Sequence, residues 1–121
     1  MKLIQVLSIV VIIILPGCNA DNNKTYHSSI PSSFFSDVEG KYYITAIGTT
    51  DEQNLEFQEV FDQNIRILSG YYQTGNPDEK ELQMLNIDDV PKYIVFDTEK
   101  ELYRTDNLNE LNQFLSNQRT K

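Results

Sequence analysis

The chain is poor in the residues that most often carry catalysis or bind metals. It contains one cysteine, Cys18, one histidine, His27, and no tryptophan. A single cysteine excludes a disulfide within the chain, so a folded domain must rely on its apolar core. A lone histidine in a polar segment has no second ligand and no base partner, so we assign His27 no role. Zinc-ligand spacings, glycine-rich phosphate loops and Lys/Arg clusters are also absent from the sequence.

Basic residues are scarce as well. Ten Lys and Arg residues face eighteen Asp and Glu residues, and the formal net charge is −8. This charge repels the phosphates of nucleic acids and of anionic lipid headgroups. We therefore expect no binding to nucleic acid, and we interpret the acidity mainly as a well-solvated surface.

The first 18 residues have the pattern of an export segment. Lys2 gives a positive start, and the run from Leu3 to Leu15 is apolar except for Gln5 and Ser8. The run is shorter than the ~20 residues that a transmembrane helix needs. A basic start, a short apolar core and a small-residue exit are typical of a cleaved secretory signal, here residues 1–17.

The end of this segment, Leu15-Pro16-Gly17-Cys18, resembles the lipobox of bacterial lipoproteins, with Pro16 as the one departure from the usual pattern. The resemblance implies that Cys18 is acylated on sulfur, becomes the first mature residue and attaches the protein to the lipid bilayer. A thiolate is a strong nucleophile and therefore suits a thioether link. Since bacterial lipoproteins usually carry two or three acyl chains, we expect an extracytoplasmic protein held firmly at the bacterial cell membrane.

A polar segment follows the anchor. Residues 18–38 are rich in Asn, Ser and Asp, which predicts a flexible tether. Phe34 and Phe35 are exceptions in this stretch. They either pack on the domain as its first contact or lie at the membrane, and we favour packing.

The folded domain is predicted over residues 39–118. Residues 41–48 are aromatic and β-branched, which indicates a buried central strand. Thr49-Thr50-Asp51-Glu52 then predicts a helix start, because a threonine cap precedes acidic residues. Residues 65–74 fit a helix or a strand, and we choose a strand from about Arg66 to Gln73.

The second half of the domain gives clearer signals. Asn76 followed by Pro77 predicts a capped helix, and residues 93–96 predict a buried strand. A polar turn and the strand Glu101–Thr105 complete a hairpin. Asn107 is the predicted cap of the last helix, with Glu110 as its capping-box partner.

This order of elements resembles the thioredoxin-like superfamily. The resemblance rests on Asn76-Pro77, the short helix, residues 90–97, the strand at 102–104 and the final helix. It implies an α/β fold with an approximately four-stranded mixed sheet (β-α-β-α-β-β-α) and helices on both faces. It also implies a cis bond before Pro91; the alternatives are a trans proline that opens an edge strand and a different α/β fold.

The most specific motif of the family is missing. Thioredoxins place Cys-x-x-Cys at the start of the first helix of this pattern, whereas residues 49–54 here read Thr-Thr-Asp-Glu-Gln-Asn. Without a thiol the loop cannot exchange disulfides. We therefore predict a redox-inactive domain with no catalytic residues, no cofactor and no metal.

Two functions remain open. The preferred one is a non-catalytic interaction module for an envelope protein or peptidoglycan; small thioredoxin-like lipoproteins of Gram-positive bacteria, some labelled peptidoglycan-associated, are loosely similar. The alternative is a cation-dependent binder or weak enzyme that uses the acidic loops around Asp51 and Asp88, with Glu52 and Asp89 beside them. Carboxylates suit Ca²⁺, but their spacing here matches no calcium loop.

Overall fold

The structure is a computed structural model, and it describes residues 30–121. Within this part of the chain four strands and three helices follow each other in the order that the sequence predicts. The strands are β1 (Tyr42–Ile47), β2 (Leu68–Thr74), β3 (Lys92–Phe96) and β4 (Glu101–Thr105), the helices are α1 (Asp51–Gln63), α2 (Glu79–Met84) and α3 (Leu108–Arg119), and two 3-10 turns span Ser32–Phe34 and Ile65–Ile67.

The strands form one mixed sheet with the order β2-β1-β3-β4. β1 and β2 are parallel because α1 makes the crossover between them. β3 runs antiparallel to both of its neighbours, β1 and β4. The two central strands each carry four consecutive buried residues, which explains their almost continuously apolar sequences.

Each face of the sheet has its own apolar core. Side chains alternate along a strand, so Tyr93 and Val95 of β3 point to one face while Ile94 and Phe96 point to the other. α1 and α3 cover the first face. α2 and the segment before β1 cover the second. None of the described helices is long and apolar enough to cross a membrane.

The segment before β1 packs on the α2 face of the sheet. The ring centroids of Phe35 and Phe96 are 5.7 Å apart, and the ring of Phe34 meets that of Tyr72 edge to face at 5.9 Å. The Ser36 amide donates to the Asp97 carbonyl at 2.9 Å. The predicted packing of the two phenylalanines on the domain is therefore confirmed, and it involves the last residues of the predicted tether.

The ambiguous stretch after α1 is a strand. Asn64 ends the helix: it is fully buried, and its Nδ2 donates to the Val60 carbonyl at 2.7 Å and to Asn112 Oδ1 at 3.0 Å. A 3-10 turn then leads into β2 at Leu68. The sequence-based choice of a strand is confirmed, although the strand begins two residues later than predicted.

The predicted cap of α2 is wrong by two positions. Asp78, not Asn76, caps the helix, and its carboxylate accepts from the Glu81 amide at 2.8 Å. Glu81 returns the interaction by accepting from the Asp78 amide, which completes a capping box. Pro77 therefore lies before the helix.

The predicted cap of α3 is correct, but its predicted partner is not. Asn107 Oδ1 accepts from the Glu110 amide at 3.0 Å. The Glu110 carboxylate instead accepts from Thr105 Oγ1 at 2.6 Å, and Thr105 Oγ1 accepts from the Asn107 amide. A buried threonine at the end of β4 thus replaces the expected reciprocal bond.

Candidate functional site

Two threonines, Thr49 and Thr50, hold the loop between β1 and α1 in place through hydrogen bonds. Thr50 Oγ1 accepts from the Gln53 amide at 3.1 Å, and the Gln53 side chain accepts from the Thr50 amide at 2.9 Å. Thr49 is buried, and its Oγ1 accepts from Gln73 Nε2 at 3.3 Å. These bonds cap α1 and attach the loop to β2, so both hydroxyl groups have structural roles.

The Val90–Pro91 peptide bond is cis and adjoins this loop. Gly48 has a φ of +74°, and a Cβ atom at Gly48 would lie 2.3 Å from Val90 Cβ. Glycine is required at this position because it tolerates the left-handed backbone and allows the close approach. At this junction the Gly48 backbone therefore packs against the Val90 side chain, and Val90 is 47% exposed.

This junction has little reactive chemistry. Nucleophilic catalysis by a hydroxyl requires an adjacent base. Within residues 30–121 the side-chain hydrogen bonds of Thr49 and Thr50 go to Gln73 and Gln53, not to a carboxylate or an imidazole. Cys18 and His27 hold the only thiol and imidazole of the sequence, and both lie outside the described residues, as do the signal and lipidation predictions.

The four acidic residues proposed as a cation site do not form one. Across residues 30–121 the structure has no group of three or more His, Cys, Asp or Glu side chains that is arranged to hold a metal ion. Asp51 and Glu52 lie in the first turn of α1, where negative charge favours the helix. Asp89 forms an exposed ion pair with Lys92 at 3.3 Å.

A polar groove lies between α1 and α3, and we call it the α1–α3 groove. Its volume is about 430 Å³. The wall on α1 presents side chains three or four positions apart, and the other wall is the start of α3 with the residue before its cap. The lining consists of Gln53, Glu56, Glu59, Val60, Gln63, Tyr93, Asp106, Asn107, Leu108, Asn109 and Asn112.

Tyr93 is the aromatic residue at the bottom of this groove. It is 1% exposed, and its ring stacks on Phe57 with the centroids 5.9 Å apart. Burial raises the pKa of its phenol above the ordinary value of 10.0, and the nearby charge of Glu56 raises it further. The phenol is therefore neutral at physiological pH and lies close to a carboxylate that lines the groove.

This groove is not among the sites predicted from the sequence. The available signal was the polar stripe Gln53, Glu56 and Gln63 on α1 together with the asparagine-rich start of α3. The stripe alone is also typical of a solvated helix face. Only the packing of α1 next to α3 shows that the two polar segments form one concave surface.

Tyr71 and Tyr72 of β2 both make contacts within the domain. Tyr71 meets Phe61 edge to face with the ring centroids 4.8 Å apart. The Tyr72 hydroxyl donates a short hydrogen bond to Glu81. This bond is the largest cause of the raised pKa of Tyr72, and burial adds to it. Tyr72 thus links β2 to the capping box of α2.

Solved structures of thioredoxins resemble this domain. No family model and no curated protein matches the chain. A thioredoxin of Fasciola hepatica matches with a TM-score of 0.52 and 12% identity, over 83% of this chain and 93% of its own. Thioredoxin f of spinach chloroplast has a TM-score of 0.54 and 12% identity, over 67% and 73%. A thioredoxin of Malassezia sympodialis has a TM-score of 0.52 and 10% identity, over 72% and 81%.

At these identities the likeness concerns the fold alone. The domain has a thioredoxin-like α/β fold with a four-stranded mixed sheet and helices on both faces, as the sequence predicts. The redox chemistry of those proteins does not follow from it. In this chain threonine hydroxyls precede α1, and carboxylates occupy its first turn.

Proposed function

We propose that the protein is a membrane-anchored cell-envelope lipoprotein whose thioredoxin-like domain is a redox-inactive, non-catalytic interaction module. Its partner in this proposal is an envelope protein or peptidoglycan. The proposal is supported by the junction of Gly48 with the Val90–Pro91 bond. The backbone of this junction is formed, but the hydroxyl groups of Thr49 and Thr50 are engaged in loop and capping hydrogen bonds.

The anchoring part of the proposal rests on the sequence Leu15-Pro16-Gly17-Cys18. Its test is to express the full chain in a bacterium supplied with an alkyne analogue of palmitate. We expect the label in the membrane fraction and its loss in Cys18→Ala, with residues 1–17 retained in the variant. A wild-type chain that remains unlabelled, or a label that persists in Cys18→Ala, would contradict the proposal.

The inert character of the domain needs its own test. The full-length protein, purified in detergent, is assayed for reduction of insulin disulfides by dithiothreitol, with thioredoxin as the positive control. We expect the rate to equal the uncatalysed background, because disulfide exchange needs a thiolate at the start of α1. A rate above background that survives in Cys18→Ala would show activity and refute this part.

The interaction role is tested in living cells. A photo-crosslinking residue at Val90 places the probe at the exposed edge of the junction, and one at Glu99 serves as the control in the β3–β4 turn. We expect a defined envelope protein or peptidoglycan fragment to be captured from Val90 and not from Glu99. The same capture from both positions would indicate random encounters and contradict a specific module.

A further inference from the structure

We infer that the α1–α3 groove binds a small organic cation, a ligand with a primary ammonium group and additional polar groups. The groove lies between α1 and α3, on the sheet face opposite to α2. All residues that line the groove belong to the described domain, so binding there does not depend on an anchor at Cys18.

All charged side chains that line the groove are acidic: Glu56, Glu59 and Asp106. Both salt bridges found within residues 30–121 lie elsewhere, at Lys92 and at Arg104. The three carboxylates are therefore not neutralised by a described basic residue. In a chain of net charge −8 they create a local negative potential that attracts a cation and excludes an anionic ligand.

The Tyr93 hydroxyl is the second, independent sign of a ligand. The residue is only 1% exposed and lies at the groove, yet its hydroxyl makes no hydrogen bond with any residue in 30–121. The hydroxyl is not one of the fully buried atoms that lack a partner, so its oxygen reaches the space of the groove and is accessible to a ligand. A neutral phenol oxygen accepts a hydrogen bond from an ammonium group, whose remaining protons are left for a carboxylate of the groove, such as that of Glu56.

The arrangement favours an organic cation over a metal ion. No three acidic side chains of the described domain are close enough to coordinate a metal, so the groove carboxylates are spread out. The volume of about 430 Å³ falls within the range of small-molecule sites. Gln63 and Asn109 line the remainder, and their amides can donate and accept hydrogen bonds with the uncharged part of a ligand; Gln53 offers only its Nε2, because its Oε1 accepts from the Thr50 amide.

The amino-terminal end of α3 also lines the groove, and its partial positive charge disfavours a cation there. Its helix dipole corresponds to about half a positive charge and weakens within the first turn. Asn107 already caps this end through the Glu110 amide. Three full negative charges therefore outweigh the dipole at the groove.

The test is a titration of the full-length protein in detergent with 1,5-diaminopentane, followed by isothermal calorimetry at low salt. The neutral control ligand is 1,5-pentanediol, which has the same chain length. We expect one saturable site for the diamine and binding of the diol that is weaker by about tenfold or more. Because charge attraction contributes, added salt should weaken binding of the diamine.

Three variants identify the site. Glu56→Gln and Tyr93→Phe should each weaken diamine binding by about threefold to tenfold. Glu99→Gln removes the same charge in the exposed β3–β4 turn and should leave binding unchanged. Glu56 is exposed, so its variant tests the site even if Tyr93→Phe unfolds the domain.

Each other outcome overturns the inference. No saturable binding of the diamine means that the groove is only a solvated surface. If the diol binds as tightly as the diamine, the groove recognises hydrogen-bonding groups and not the positive charge. An equal loss in Glu56→Gln and Glu99→Gln means that the diamine responds to the net charge of the protein and not to the groove.

Discussion

Gly48 lies so close to Val90 that a Cβ atom on the glycine would be 2.3 Å from the valine Cβ. This contact joins the residue after β1 to the residue before the cis proline. It places the loop before α1 directly against the segment that contains the cis bond. The contribution of this contact to the free energy of unfolding can be measured directly.

We expect Gly48→Ala to destabilise the domain by about 2–4 kcal/mol, because a positive φ and a steric clash coincide there. The matched control is Gly40→Ala: Gly40 also has a positive φ, but nothing lies within 4 Å of the position that a Cβ atom would take there. That variant should cost about 1–2 kcal/mol. Urea unfolding followed by far-UV circular dichroism measures both.

The second change at this contact is Val90→Gly, which removes the opposing Cβ. If the clash is the cause, Gly48→Ala combined with Val90→Gly should show a favourable coupling free energy relative to the sum of the two single variants. Additive losses would show that backbone strain at Gly48 accounts for the whole effect.

Arg104 connects β4 to the end of α2. Its guanidinium donates to both carboxylate oxygens of Glu101, at 2.7 and 2.8 Å, and to the carbonyls of Leu85 and Asn86, at 2.8 and 3.0 Å. Arg104→Met should lower the free energy of unfolding by about 1–3 kcal/mol, because charged hydrogen bonds to helix-end carbonyls are lost.

Two comparisons sharpen this prediction. Arg104→Lys should recover only part of the loss, since an ammonium group cannot reproduce the planar fork. The control Arg66→Met removes the same charge from an exposed 3-10 turn and should change stability by less than about 0.5 kcal/mol. Equal losses in Arg104→Met and Arg66→Met would refute a specific role for Arg104.

We predict opposite changes in stability when Thr45 and Thr105 are each replaced by valine. Thr45 is fully buried in β1, and its Oγ1 has no hydrogen-bond partner among residues 30–121. Thr45→Val keeps the shape and removes an unpaired hydroxyl, so we expect a gain in stability of about 0.5–2 kcal/mol. Thr105→Val should instead lose about 1–3 kcal/mol, because its hydroxyl serves Glu110 and Asn107.

Thermal unfolding of the two variants checks this pair. A decrease in melting temperature for Thr45→Val similar to that for Thr105→Val would mean that the Thr45 hydroxyl has a partner in the full chain.

The raised pKa of Tyr72 predicts a loss of stability at alkaline pH. The hydrogen bond to Glu81, followed by burial, favours the protonated phenol in the folded state. A folded-state pKa above the unfolded value of about 10 means that this stabilisation is complete below pH 10. It is lost as the pH rises through the folded-state pKa.

Urea unfolding between pH 8 and pH 11 tests the prediction. Tyr72→Phe should be less stable than the wild type at pH 8 but should lose less stability on going to pH 11. Tyr43 and Tyr93 also have raised pKa values, so part of the alkaline loss should remain in the variant. An identical pH dependence of variant and wild type would exclude a contribution from Tyr72.

The strand β3 was the most predictable element. Residues 93–96 are β-branched or aromatic and buried, so propensity and burial agree. The start of α2 was less predictable, because Asn76 and Asp78 are both good caps in sequence. The choice depends on Glu81, which closes the capping box and also receives the Tyr72 hydroxyl from β2. That contact is tertiary and is not encoded in the local pattern.

The α1–α3 groove lies beyond sequence reasoning for a similar reason. Glu56 and Asp106 are fifty positions apart in the chain, and each belongs to an ordinary polar helix surface or loop. Their common surface exists only because Leu111 and Val60 pack in the same core and bring the two helices together. The concave shape is a product of that packing.

The chain enters the domain on one face of the sheet, and the α1–α3 groove lies on the other. Ile30, the first described residue, and the two phenylalanines after it pack on the α2 side. The groove is lined by α1 and α3 on the opposite side. The entering segment therefore leaves the mouth of the groove unobstructed.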